Sequence, residues 1–156
     1  MTEVQRASIM HSLAGRDVVC CARTGSGKTL SYLVPIVECL YKRKWSAMDG
    51  LGALVMVPTR ELGIQAFEVL RSFASLHEMS AALVIGGKDL QTEQDHIKRM
   101  NIIIATPGRL LQHMDETSEF DWGNLQILVM DEVDRILDLG FKRDVDLIMD
   151  SLPKKV

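Results

Sequence analysis

Aromatic residues are scarce in this chain of 156: two Trp, two Tyr and four Phe offer little material for a base-stacking platform. A net charge of −3 excludes a general polyanion binder, so any nucleic-acid contact has to be local. Cysteine is nearly absent too, and two of the three, Cys20 and Cys21, are adjacent, a spacing at which a mutual disulfide is badly strained. The thiols therefore read as reduced and the compartment as intracellular. The longest apolar run, Leu33 to Val37, falls far short of the roughly 18 residues of a membrane span. No charged-then-apolar leader opens the chain, so secretion and membrane partners are not expected. His11, His77, His96 and His113 show no metal-ligand spacing with one another or with the cysteines.

What is present is a chain 47% hydrophobic, enough for one globular domain. Net charge drifts from +3 over residues 1–50 to −1 over 51–100 and −5 over 101–156, a mild asymmetry that a solvated surface explains as well as a partner does. Short apolar runs at Asp17 to Cys21, Leu51 to Val57, Ala81 to Ile85, Ile102 to Ala105 and Gln126 to Met130 read as strands buried on both faces. Helix-period stretches lie between them, including Leu30, Leu33, Val34, Val37 and Leu40, with Pro35 predicting a kink or early break. Leu62, Ala66, Val69, Leu70 and Phe73 repeat the spacing, as do Phe141, Val145, Ile148 and Leu152 before Pro153. Strand then helix, repeated, predicts an α/β fold in three layers: a parallel sheet with helices on both faces.

Ligands of such sheets sit beyond the carboxyl ends of the strands, and each predicted strand end carries a polar or glycine-rich motif. After the first comes Ala22, Arg23, Thr24, Gly25, Ser26, Gly27, Lys28 and Thr29, a Walker A pattern with Ala at its opening position. Gly25 and Gly27 permit a backbone that aims N–H groups at phosphate oxygens, reinforced by the positive end of the following helix. Lys28 supplies a cation for phosphate, and the Thr29 hydroxyl can ligate Mg²⁺. After the last run stand Asp131 and Glu132, the first placed to hold Mg²⁺ and the second to deprotonate an attacking water. A simple preference for acids in a first helical turn competes with that reading.

These motifs together resemble the first RecA-like domain of a DEAD-box RNA helicase, a P-loop NTPase fold, over nearly the whole chain. Thr2 to Gln5 resemble the Q motif and residues 22–29 motif I. Pro58 to Leu62 resemble motif Ia, Gly86 and Gly87 the glycine doublet, Thr106 to Arg109 motif Ib, and Asp131 to Asp134 motif II. The chain departs from the family at Val133, where Ala is usual, at a site expected to be buried.

The resemblance implies ATP and Mg²⁺ as cofactors, with Lys28, Asp131, Glu132 and Asp134 catalytic, Thr29 and Asp131 at the metal, and Gln5 reading the adenine. Thr2 and Gln5 also satisfy the capping-box spacing, which leaves a purely structural reading of Gln5 open. It further implies that Pro58, Thr59, Arg60, Gly86, Gly87, Thr106, Pro107, Gly108 and Arg109 bind the RNA backbone independently of sequence. Helix capping by Thr59 and Thr106 and ion pairing by the arginines are the structural alternatives.

On this reading residues 1–156 are a RecA-like domain truncated at both ends, lacking the second RecA-like domain and its arginine fingers. The fragment alone would be nearly inactive. The family's next strand would follow Val156 and insert between the predicted strands at 17–21 and 126–130, leaving backbone groups in need of partners. The implied function is ATP hydrolysis coupled to RNA binding and unwinding; the alternative is a nucleotide-binding RNA scaffold without turnover. The stretches HSLAGRDVV, IGGKDL and GRLLQHMDET resemble the branch that processes ribosomal RNA, which implies ribosome biogenesis in the nucleus and nucleolus.

Overall fold

The computed structural model describes residues 1–74, 77, 79–87, 90–118 and 120–153. In chain order the elements are α1 (Glu3–Leu13), α2 (Lys28–Lys42), β1 (Ala53–Met56), α3 (Arg60–Ala74), β2 (Ala81–Val84), α4 (Leu90–Ile97), β3 (Ile102–Ala105), α5 (Pro107–Glu116), β4 (Ile127–Met130), α6 (Val133–Asp138) and α7 (Lys142–Ser151). The four strands pair in parallel in the order β2-β3-β1-β4. Ala53 lies opposite Ile102 on one side and Ile127 on the other.

The inner strands β1 and β3 are buried on both faces, which is why they read as unbroken apolar runs, whereas β2 and β4 at the margins are half-buried. Leu54 and Met56 of β1 and Ile103 of β3 join a core completed by Leu110 of α5, Ile136 of α6 and Ile148 of α7. Their immediate neighbours Ala53, Val55, Ile102 and Ile104 point the other way, into a core built with Leu33, Ile36 and Leu40 of α2 and Ala66 and Leu70 of α3. The predicted three-layer arrangement is therefore the observed one.

Asp17–Cys21 departs from expectation. It forms no strand among the described residues, each of its side chains is exposed, and Val19 is fully so. A strand needs a ladder to satisfy its N–H and C=O groups, and β4, the nearest candidate by the expected topology, pairs among the described residues with β1 alone. The strands expected to flank a gap thus do not close on each other, and β4 is left as a half-buried edge. The strand expected beyond Val156, like Lys88 and Asp89 after the third run, lies outside the described residues.

Nor does Pro35 end its helix, because α2 continues from Lys28 to Lys42. Pro35 removes one backbone bond, but Leu33, Ile36, Val37 and Leu40 around it are almost completely buried, and that packing holds the helix across the defect. At the opposite end of the sheet from the motifs, fully buried Asn101 joins three connections. Its Nδ2 donates to the Ser46 and Gly50 carbonyls at 2.7 and 3.0 Å, and its Oδ1 accepts from the Ser80 N–H at 3.2 Å. That amide anchors the amino ends of the strands, leaving their carboxyl ends to carry the variable chemistry.

Candidate nucleotide site and nucleic-acid groove

The phosphate loop is positioned by helices rather than by a strand. Thr2 caps α1: its backbone N–H donates to Gln5 Oε1 at 2.9 Å, while Thr2 Oγ1 accepts the Gln5 N–H at 3.5 Å. The same Gln5 side chain donates from Nε2 to the Gly27 carbonyl at 3.2 Å. Capping and loop contact are thus performed together, and the two readings of Gln5 are not exclusive. Gly27 caps α2 at φ 89°, and a Cβ there would come within 2.6 Å of the Gln5 amide. Any side chain at residue 27 would meet both a disfavoured backbone and an occupied space.

Within the loop, Lys28 Nζ folds back to donate to the Ala22 carbonyl at 2.9 Å. Arg23, Thr24 and Gly25 are exposed, whereas Ser26 turns its hydroxyl inward, where it is buried and has no hydrogen-bond partner among the described residues. A buried hydroxyl without a partner costs on the order of 1–3 kcal/mol, so a loop that keeps one fits an anion able to satisfy it. Positive φ at Gly25, the Lys28 ammonium and the amino end of the 15-residue α2 complete a donor set suited to phosphate.

Asp131 leaves the end of β4, its N–H bonded to the Met56 carbonyl at 2.9 Å. Burial pushes its carboxyl above the ordinary 3.8, aided by the Glu132 charge, while Tyr32 and Lys28 oppose the rise. Lys28 and Asp131 therefore share one electrostatic site although their predicted strands do not pair. Tyr32, which neither the motifs nor the apolar spacing of its helix single out, donates from Oη to Asp131 Oδ2 at 3.0 Å. Burial, then the Asp131 charge, push the Tyr32 hydroxyl's pKa up, and the Thr29 side chain one turn earlier on α2 opposes that rise. The Thr29 hydroxyl and the Asp131 carboxylate, both hard oxygen donors, fit Mg²⁺.

Glu132 adopts a left-handed backbone, φ 50° and ψ 52°, at the start of α6, and Arg135 Nη1 approaches its Oε2 at 3.4 Å. For a non-glycine residue that conformation is strained, and strain of this kind concentrates at functional sites. Asp134 is exposed in the first turn of α6. Val133 is exposed as well, at 44%, rather than buried as the sequence predicted, so its extra methyl groups relative to Ala meet solvent and impose no packing strain.

A concavity of about 590 Å³ lies at the carboxyl ends of β1, β2 and β3. Pro58, Thr59, Arg60, Gly86, Gly87, Thr106, Gly108 and Arg109 line it, together with Glu61, also of motif Ia, and with Gln112 and Phe141, which lie outside the motifs. Pro107 is absent from the lining; it is buried as the first residue of α5. The Arg60 guanidinium lies against the glycine doublet, where a Cβ on Gly86 or Gly87 would stand 2.9 Å from its nitrogens. Thr59 Oγ1 accepts the Leu62 N–H at 3.3 Å as a helix cap, but Thr106, at the start of α5, makes no such side-chain bond. Arg109 differs from Arg60: it is almost buried and ion-paired to Glu93 of α4.

With this geometry, residues 2–156 match the family model described as DEAD/DEAH box helicase. The chain belongs to the DEAD/DEAH box helicase family. Among similar proteins in the family, the ATP-dependent RNA helicase DBP4 of Mycosarcoma maydis is 60% identical over 154 residues, covering 99% of this chain and 17% of that protein. The protein of the same name from Yarrowia lipolytica is 58% identical, covering 97% of this chain and 20% of its own. The chain thus spans about a fifth of the length of these relatives. Among solved structures, a DEAD box protein from Methanococcus jannaschii superposes with a TM-score of 0.90 at 32% identity, over 99% of this chain and 41% of that one. A hypothetical ATP-dependent RNA helicase from Sulfolobus tokodaii gives 0.83 at 34% identity, over 96% and 42%. The α/β RecA-like fold is therefore that of its family.

Proposed function

We propose that this domain binds ATP with Mg²⁺ and hydrolyses it in an ATP-dependent RNA helicase, coupling turnover to sequence-independent grip on an RNA backbone. The observation that carries the reading is the placement of two complementary sites along one sheet edge. One is a phosphate loop whose buried Ser26 hydroxyl has no partner among the described residues and whose Lys28 charge acts on Asp131; the other is a groove lined by Arg60, the glycine doublet and the start of α5.

In this scheme the loop N–H groups and Lys28 bind the phosphates, and Gln5, already in contact with Gly27, links base recognition to the loop. Thr29 and Asp131 would hold Mg²⁺, which supplies charge neutralisation at the phosphates. Glu132 orients a water and accepts its proton. Arg60 and Thr106 offer a guanidinium and a hydroxyl to phosphate oxygens, and the bare backbone at Gly86 and Gly87 allows close approach.

A second RecA-like domain of the same protein would complete the site with arginines, so the domain alone would turn over ATP negligibly. The resemblance of HSLAGRDVV, IGGKDL and GRLLQHMDET to the ribosomal RNA processing branch, with the high identity to the DBP4 RNA helicases, supports a role in ribosome biogenesis in the nucleolus. ATPase measurements on the full-length protein with and without RNA test the proposal. RNA-stimulated turnover is expected; nucleotide binding with no turnover under any RNA would replace it with the scaffold reading.

A further inference from the structure

Tyr32 stands at a place where neither the phosphate-loop pattern nor the carboxylate pair requires a hydroxyl. Its ring packs against the core formed by α2, α3 and the sheet, which fixes the phenol with only two side-chain torsions to order. The hydroxyl reaches Asp131 Oδ2 at 3.0 Å across 99 residues of sequence, from the first turns of the helix that begins with Lys28 and Thr29. One rigid group on that helix thus touches the carboxylate that the nucleotide site offers to a divalent cation. A phenylalanine would fill the same apolar space, so packing alone gives no reason for the oxygen.

We propose that Tyr32 is a positioning residue that ties the phosphate loop to the end of β4 and sets how strongly nucleotide binding depends on Mg²⁺. The proposal rests on the reading of this site as an ATP·Mg²⁺ site and adds to it a residue outside the motifs. A carboxylate at a strand end can rotate about two torsions, and the two candidate donors come from segments joined only through tertiary packing. By accepting the Tyr32 hydrogen bond, Asp131 is held in one orientation before the cation arrives, so less ordering is left for binding. The amino end of α2 and the Ser26 hydroxyl act on phosphate without that bond. Metal-free nucleotide affinity therefore does not depend on it.

The test is Tyr32→Phe in the full-length protein, which keeps the ring and removes one oxygen. Binding of a fluorescent ATP analogue is measured in EDTA and across a MgCl₂ titration, with thermal melting as the check on folding. The variant is expected to bind the analogue in EDTA as the parent does, within about twofold, and to need roughly three to ten times more Mg²⁺ for half-maximal enhancement, the effect of losing one hydrogen bond to a charged group. Equal affinity loss in both conditions would assign Tyr32 a merely structural role and overturn the proposal, as would an unchanged or lowered Mg²⁺ requirement. If the parent itself shows no Mg²⁺-dependent nucleotide binding, the nucleotide reading fails first and this inference with it.

Discussion

Arg109 presents its guanidinium to Glu93: Nε and Nη2 both donate to Oε2, at 3.0 and 2.9 Å, with the two side chains only 9% and 12% exposed. His113, fully buried one turn along α5, contacts the same carboxylate oxygen at 3.0 Å and Thr117 Oγ1 at 2.9 Å. A motif arginine at the groove is thus built into a polar cluster between α4 and α5.

Arg109→Ala should therefore act on the fold before it acts on RNA. The substitution removes the charge partner of Glu93, whose Oε1 is already buried without a hydrogen bond among the described residues. Breaking one side of such a buried pair costs about 3–5 kcal/mol. Replacing Glu93 and Arg109 together with alanine should destabilise less than the sum of the two single changes. Denaturant unfolding of all three variants measures this; a loss for Arg109→Ala within about 0.5 kcal/mol of zero would show that the pair carries no stability.

Arg60→Ala should behave in the opposite way. Its guanidinium lies over Gly86 and Gly87 in the open groove, so removal leaves folding nearly unchanged and weakens RNA binding. Because phosphate contacts carry no base information, the loss should be similar for two unrelated RNAs, and the salt dependence should drop by about one ion. Unequal losses between the two sequences would assign Arg60 a base-reading role.

The contrast between these arginines marks how far the chain could be read without coordinates. β1 and β3 are legible because a strand buried on both faces leaves an unbroken apolar run, half-buried β2 and β4 because their segments are apolar throughout as well, and the helices between them because their apolar residues recur at threes and fours. Asp17–Cys21 carries the same signal, yet apolarity says only what a segment would gain from burial, not whether a ladder partner exists beside it. Arg60 and Arg109 both follow a strand and a proline or glycine, but whether the guanidinium meets solvent or Glu93 depends on α4, sixteen residues away. Tyr32 lies outside both the motifs and the apolar spacing of Leu30, Leu33, Val34, Val37 and Leu40, and nothing in its sequence neighbourhood signals that its hydroxyl meets Asp131.

Glu132→Gln in the full-length protein should retain ATP and RNA binding while turnover falls by at least about a hundredfold, since shape survives and the proton acceptor does not. Lys28→Ala should instead weaken ATP binding itself. Glu132→Gly separates strain from chemistry: with φ 50° relieved, its melting temperature should equal or exceed that of the parent while turnover is still lost. Equal loss of ATP binding in the Lys28 and Glu132 variants would refute the division of roles.

Asp131 should impose a stability penalty on the nucleotide-free protein that depends on pH. Burial raises its carboxyl above the ordinary 3.8, so between that value and the raised one the folded state holds a proton that the unfolded chain has released. The folded state then binds more protons, and stability contributed by this group falls as pH rises through the window. Asp131→Asn removes the titration and can still accept the Tyr32 hydroxyl. Without nucleotide the variant should be the more stable protein at neutral pH, by less than about 1 kcal/mol because the site is partly solvated, with the advantage shrinking toward acid pH. With ATP and Mg²⁺ the order should reverse, because only the parent gains stability from the bound pair. Thermal melting of both proteins across the acid-to-neutral range, with and without nucleotide, checks both limbs. A variant less stable than its parent at neutral pH without nucleotide would show that the Asp131 charge is favourable to the fold, contrary to its burial.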